Sequence, residues 1–243
     1  MIYNQTNLFE LDRYFKNIEL TSPSNYYNKF IIVRLDGVKF RKVWKAVNEE
    51  ERVLIQKALE YAATEVLKCM GDSFISYIQS DEISIVFSKE RSKSFKLQKF
   101  ISIISSRITL KFNKYLINEI SDKQCLLYKT VSDGIYFDCR VLAVEYSDIH
   151  KYIVYRQLFC IINSYNKVLK ANNRRHINPT YFHYEDMKLL NLYPLWDKCP
   201  SFEKYGVLIL KEGKCFNTYN KIKFLGKSNL LEEFISNMNV VSR

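Results

Sequence analysis

Phe74-Ile75-Ser76-Tyr77-Ile78-Gln79-Ser80-Asp81-Glu82-Ile83-Ser84-Ile85-Val86-Phe87 is a pair of apolar runs that meet at Ser80-Asp81. Runs of this length, rich in β-branched and aromatic residues and interrupted by small polar ones, pair as antiparallel hairpins. Ile83, Ile85 and Phe87 alternate and are expected to point to one face. The acids Asp81 and Glu82 then sit at the tip of a strand pair. Upstream, Phe30-Ile31-Ile32-Val33 reads as a strand buried on both faces, and it also ends on an acid, in Arg34-Leu35-Asp36-Gly37. Carboxylates at the tips of adjacent strands can share a pair of divalent metals, the arrangement of two-metal nucleotidyl transfer. Asp suits Mg²⁺, which binds through one or two carboxylates and substrate phosphates. An Asp-Gly pair after a strand is also an ordinary turn, so either motif taken singly fits a plain chain reversal.

Around these motifs the periodicity supplies a frame. Residues 5–16 place Leu8, Leu11 and Phe15 at helical spacing, and Thr21-Ser22-Pro23-Ser24-Asn25 is a loop. A helix is expected over 49–69, with Leu54, Ala58, Tyr61, Ala62 and Leu67 as its apolar stripe, broken by Gly71-Asp72. A second spans about 94–117 through Phe100, Ile104, Ile108 and Phe112. Strands are expected at 135–144 and 205–211, and a helix at 148–170 turns Tyr152, Leu158, Ile162, Tyr165 and Leu169 inward. The order βαββαβ predicts an α/β (α+β) fold: a palm-like antiparallel sheet of ferredoxin-like order with helices on one face. One domain over 1–243 is expected, with a helical segment at 1–28 and a basic tail at 213–243.

The chain of 243 residues is 47% hydrophobic, which places it among globular proteins. Lys and Arg number 37 against 26 acids, a net charge of +11. That surplus points to a polyanionic partner or to a solvated lysine surface; the 15% aromatic content adds rings able to stack on bases. The six cysteines show no CxxC spacing, and His150, His176 and His183 form no ligand pattern. Zinc modules and disulfide scaffolds are thereby set aside in favour of free thiols in a reducing compartment. No apolar run approaches the ~18 residues of a membrane span. The N-terminus carries acids early and has no apolar h-region, so a cytoplasmic location is expected, with a mitochondrial one left open.

The segments IVRLDGVKF (32–40), YIQSDEISIVF (77–87), FDCRVLAV (137–144), YRQLFCIINS (155–164) and FEKYGVLILKE (202–212) together resemble the tRNA-His guanylyltransferase superfamily, enzymes that add nucleotides to RNA 5′ ends in the 3′-to-5′ direction. They occur in the family's order, and the resemblance spans residues 5–212. It implies a polymerase-like palm in which Asp36 and Asp81, with the backbone carbonyl of Gly37, hold two Mg²⁺ ions. Glu82 joins the catalytic acids only if the turn re-aims one of the neighbouring pair, since adjacent strand residues face opposite ways. Ser80 touches a phosphate or tunes the turn. KLQKFIS (96–102) resembles the family's triphosphate-contacting pattern, assigning Lys96, Lys99 and Ser102 to the nucleotide. A solvated lysine face gives the same spacing. Lys45, in WKAVNEEERV, is the nearest match to a further family lysine, and Arg52 matches an arginine there; the family's proline is missing.

Members that recognise tRNA-His carry His-Ile-Asn-Asn where this chain has Ile161-Ile162-Asn163-Ser164. The RQ…NS form resembles the guanylyltransferase-like branch, which repairs 5′-truncated tRNAs against the opposite strand. Arg156, Asn163 and Ser164 are the candidate RNA or nucleotide contacts, while Phe159 stands where an acid is common. Asp138 and Arg140 read as structural, and Cys139 has no histidine placed to make it a nucleophile. The expected substrates are ATP or GTP for activation, NTPs for addition, and the 5′ end of a tRNA. The resemblance also implies a homotetramer, a dimer of dimers. Addition of a single G to tRNA-His, a non-catalytic RNA-binding palm and a cyclase-like enzyme are the competing readings.

Overall fold

The structure, a computed structural model, describes residues 8–19, 26–93, 96–175, 192–219, 225 and 229–241. His176, His183, the loop at 21–25 and the first residues of the 5–16 helix lie outside them. The chain gathers into two compact units.

The first unit comprises Glu19–Val144 and Leu208–Thr218. Its sheet has six strands: β1 (Phe30–Gly37), β2 (Ser73–Gln79), β3 (Glu82–Phe87), β4 (Phe137–Val144), β5 (Val207–Glu212) and β6 (Cys215–Tyr219). Their order is β4-β1-β3-β2-β5-β6. β1 pairs antiparallel with β3 and with β4, and β2 with β3. With α3 (Glu49–Cys69) after β1 and α5 (Leu97–Glu119) after β3, this is the expected ferredoxin-like arrangement. The short α2 (Phe40–Ala46), α4 (Lys89–Lys93) and α6 (Leu126–Ser132) fill the connections.

Local chemistry explains the long helices. Asn48 accepts the Glu51 N–H at 2.9 Å, and the Glu51 carboxylate accepts the Asn48 N–H at 2.9 Å. This reciprocal capping box starts α3. α5 buries Phe100, Ile104, Ile108 and Phe112, the spacing read from the sequence. Phe100 meets Phe87 edge-on at 5.1 Å, and Phe112 meets Phe137 at 5.2 Å. Residues directly opposite across paired strands share a face. Phe87 stands opposite Ile31, and Phe137 opposite Gly37, so odd-numbered β1 residues face α5 and even-numbered ones the other side.

Two details differ from the sequence reading. In α3, Leu54 and Tyr61 are only half-buried; the core is built by Ile55, Ala58, Leu59, Ala62, Ala63, Val66 and Leu67. The stripe is centred one position later and is wider than the one expected. In β3, Ile83, Ile85 and Phe87 stand opposite Leu35, Val33 and Ile31 and share the face turned to α5, as expected, and the residues between them are buried as well. The stretch 213–243 also carries β6 and a helix, α10 (Leu230–Val241).

The second unit comprises Met1–Ile18, Glu145–Val207 and Tyr219–Arg243. It is organised on α7 (Tyr146–Ala171), with α1 (Leu8–Asn17), α8 (Tyr193–Asp197) and α9 (Ser201–Tyr205). Phe15 stacks on Tyr155 and meets Tyr152 edge-on, each at 5.1 Å. Tyr155 donates to Asp12 at 2.7 Å and Tyr14 to Asp148 at 2.7 Å, which fixes α1 along α7. Trp196, fully buried, packs against Tyr165 and Tyr205.

Candidate active site

The expected acids converge. Asp36 is the register partner of Glu82 on β3 and of Asp138 on β4. Three carboxylates thus form one rung across the sheet, on the face turned away from α5. Asp81 is not part of the β3 ladder. It occupies the two-residue turn with Ser80, so strand alternation does not oppose it to Glu82. Ser80 adopts a left-handed φ of 50°, which lets two residues reverse the chain. Its hydroxyl donates to Asp81 Oδ1 at 2.8 Å.

The end of β1 is tied to that turn. The Gly37 N–H donates to the Asp81 carbonyl at 3.0 Å. A Cβ on Gly37 would lie 2.1 Å from the Phe40 ring, so this position admits only glycine while α2 packs where it does. The backbone bond and the packed ring therefore hold Asp36 beside the Asp81 turn. Burial pushes the Asp81 carboxyl up to about 6, and the like charges of Asp36 and Glu82 add to the shift while the Ser80 hydroxyl opposes it. Glu82 is buried and accepts from Gln79 Nε2 at 3.4 Å.

Among the described residues, no three His, Cys, Asp or Glu side chains gather into a metal cage of their own. The donor set fits Mg²⁺ nevertheless. That ion takes one or two carboxylates and completes its shell with water and substrate phosphates. Two acids that repel each other's charge at a strand tip match this demand.

The basic candidates are exposed. Lys45 lies in the last turn of α2. Arg52 is engaged locally: it donates to the Trp44 carbonyl at 2.7 Å and lies over the Trp44 ring at 5.4 Å. Lys96 stands at the N-cap position of α5 without a side-chain cap bond, and Lys99 and Ser102 follow on the first two turns, all exposed on one side. The Ser102 hydroxyl donates back to the Gln98 carbonyl.

The candidates on α7 belong to the other unit and differ in availability. Ser164 is buried; its hydroxyl donates to the Ile161 carbonyl and accepts the Trp196 Nε1–H at 2.8 Å. Arg156 is buried between the Tyr155 and Phe159 rings at 5.0 and 5.3 Å. Asn163 is exposed. Cys139 is pushed up to about 12, chiefly by burial and then by Asp138, which removes it as a thiolate.

Two further residues neighbour the acids: Asp138, read from sequence as structural, and Arg34, to which the sequence reading gave no role. Asp138 shares the rung of Asp36, and its side chain is 48% exposed with Arg140 at 3.8 Å. Arg34, one pleat back on the same face, is buried and paired with Glu19 at 2.6 Å. Register, which no local pattern encodes, brings both to the site. An acid in a strand at the position facing Asp36 was the available signal.

Known proteins resemble this chain in sequence and in fold. An uncharacterized protein of Acanthamoeba polyphaga mimivirus is 26% identical over 216 residues, covering 78% of this chain and 71% of that protein. Probable tRNA(His) guanylyltransferases of Drosophila melanogaster and Homo sapiens are 30% and 32% identical, over 56% and 58% of this chain. The chain spans about half, 47%, of the length of these two. Among solved structures, a bacterial tRNA(His) guanylyltransferase-like protein in complex with ATP aligns with a TM-score of 0.65 at 23% identity, covering 93% of this chain and 98% of that one. The enzyme from Saccharomyces cerevisiae aligns with a TM-score of 0.56 at 20% identity, covering 92% of this chain and 99% of that one. The family model for tRNAHis guanylyltransferase matches residues 12–145, more than half of the chain and the whole carboxylate rung, and the chain belongs to that family, Thg1.

Proposed function

We propose that this chain adds nucleotides, directed by a template, to the 5′ end of a truncated tRNA in the 3′-to-5′ direction. The observation that carries the reading is the tip of the β1–β3 pair, where Asp36 and Asp81 are brought together by the Gly37–Asp81 backbone bond. Family membership supports the nucleotidyl transfer. Ile161, in place of the histidine of the tRNA-His pattern, favours the repair branch over single-G addition.

In this reading the 5′-monophosphate of the RNA is first activated with ATP or GTP. Activation joins AMP or GMP to that phosphate and releases pyrophosphate. The 3′-hydroxyl of an incoming NTP then attacks the activated phosphate, breaks the anhydride bond and expels the AMP or GMP. Asp36, Asp81 and the Gly37 carbonyl would hold two Mg²⁺ ions. When bound, Mg²⁺ supplies charge neutralisation on the phosphates and makes the attacking hydroxyl more acidic. Glu82, held by Gln79, stands beside the pair on the Asp36 rung. Lys45, Lys96, Lys99 and Ser102 offset the triphosphate charge, so the chain's own part is mainly positioning and electrostatics. Ser80 holds the turn in its left-handed form. Of these three α7 candidates, Asn163 is the one open to RNA; Arg156 and Ser164 shape the helix that presents it. A homotetramer, a dimer of dimers, completes the proposal and is read by light scattering.

The test is extension of a 5′-monophosphorylated tRNA lacking its first nucleotide, with Mg²⁺, ATP and all NTPs, alongside full-length tRNA-His. Template-matched repair is expected, and Asp36→Ala is expected to lower it at least ~10³-fold while tRNA binding persists. A lone G added only to tRNA-His would move the chain to the other branch, which the named guanylyltransferase relatives favour. Wild-type rates in Asp36→Ala would refute the metal assignment.

A further inference from the structure

The C-terminal half of α7 presents an exposed polar line. Asn163, Lys167 and Lys170 follow at i, i+4 and i+7, so they lie on one side of the helix, and all three are exposed. The opposite side is buried through Ile162, Tyr165 and Leu169. α7 ends in a Schellman cap: the Asn173 N–H donates to the Lys170 carbonyl at 3.1 Å and the Arg174 N–H to the Leu169 carbonyl at 2.9 Å. Asn173 takes the left-handed position with φ 54°. The cap pins Arg174 and Arg175, both exposed, directly beyond the last turn. Four cations thus fall within residues 167–175, with no acid between them. Lys167 is held by Glu203 at 2.7 Å, yet its side chain is 52% exposed. Lys170, Arg174 and Arg175 have no carboxylate partner among the described residues.

One cation near a helix C-terminus is accounted for by the helix dipole. Four within nine residues exceed that need, and Lys170, Arg174 and Arg175, with no carboxylate partner among the described residues, repel one another unless a polyanion is present. We propose that Lys167, Lys170 and Arg174 form a phosphate-backbone track for the RNA substrate, with Asn163 at its inner end. From Lys167 to Lys170 and on to the cap the track covers about 10 Å of helix axis, enough to meet several consecutive phosphates of one strand. The contacts are electrostatic and sequence-independent, and they position the RNA without reading it. Glu203 acts on the track as a competitor for Lys167. The inference rests on the RNA-extending reading above.

The test is tRNA binding by fluorescence anisotropy across a salt series, for the wild type and for the triple variant K167Q, K170Q and R174Q. A second triple, K57Q, K114Q and K123Q, removes equal charge elsewhere. The track predicts that the first triple loses about 2–3 units of the log–log salt slope and at least ~10-fold in affinity near 0.1 M salt, while the second loses far less. ATP binding to the first triple is expected to be unchanged. Glu203→Gln frees Lys167 and is expected to tighten tRNA binding by about two- to fivefold, a gain that a structural ion pair would not give. An unchanged slope in the first triple, or equal loss in both triples, overturns the track while leaving the extension activity standing. Wild-type protein that extends no RNA and binds tRNA without salt dependence overturns both.

Discussion

Asp81 is held where its charge is costly. Burial first, and the facing carboxylates of Asp36 and Glu82 second, raise it from the ordinary 3.8 to about 6. The folded protein therefore binds this proton more tightly than the unfolded chain does. Across the window from pH ~4 to ~6 the folded state is the more protonated, so stability falls as pH rises through it, and the cost stands in full at neutral pH. Asp81→Asn is expected to stabilise the protein by about 1–2 kcal/mol at pH 7.5, with the gain vanishing near pH 4, and to abolish extension. Thermal melts without divalent cations at both pH values measure this. Millimolar Mg²⁺ should raise the melting temperature of the wild type and not of the variant. A variant less stable than the wild type at pH 7.5 would mean that Asp81 is a structural acid. The position of this residue at a hairpin tip was legible in sequence because two apolar runs meeting at Ser80-Asp81 are a local pattern. The availability of Ser164 was not, since its hydroxyl is taken by Trp196, 32 residues away.

At the scale of elements, the long helices and the hairpin followed from periodicity. Phe100, Ile104, Ile108 and Phe112 are buried as spaced, and so are Tyr152, Ile162 and Tyr165. The one-residue shift of the α3 stripe has a different origin. α3 packs against both α5 and the sheet, so its buried arc is wider than an amphipathic count suggests. Elements of five to seven residues such as α2, α8 and β6 are too short to show a period. One device at this scale is invisible to any local pattern: Lys211 of β5 donates to the carbonyls of Leu67 at 2.7 Å, Met70 at 3.2 Å and Gly71 at 3.4 Å. A side chain 140 residues downstream thus caps the C-terminus of α3. Lys211→Met keeps the aliphatic stem and removes the donor. It is expected to cost about 1–2 kcal/mol, read as a lower urea midpoint at constant m-value. No change in midpoint would show that water satisfies these carbonyls equally well.

The whole molecule is threaded in a way that a linear reading misses. The sheet unit is closed by Leu208–Thr218, a segment that returns to it after Glu145–Val207 has built the other unit. β5 therefore pairs beside β2 although more than a hundred residues separate them in sequence. All seven residues of β2 are buried, and without β5 that strand would be a long apolar edge with unpaired backbone groups, a template for association with other chains. A chain ending at residue 206 also loses the Lys211 cap on α3. It should be recovered as aggregates on size exclusion, whereas a chain ending at residue 219 retains β5 and β6 and should keep a folded, cooperatively melting sheet unit. The two chains differ by thirteen residues, so composition and net charge barely change, and the contrast isolates the strand pairing. If the 206-residue chain were monomeric with a cooperative melt, the four-stranded β4-β1-β3-β2 sheet would be self-sufficient, and the β2 edge would need no cover from β5 to stay monomeric.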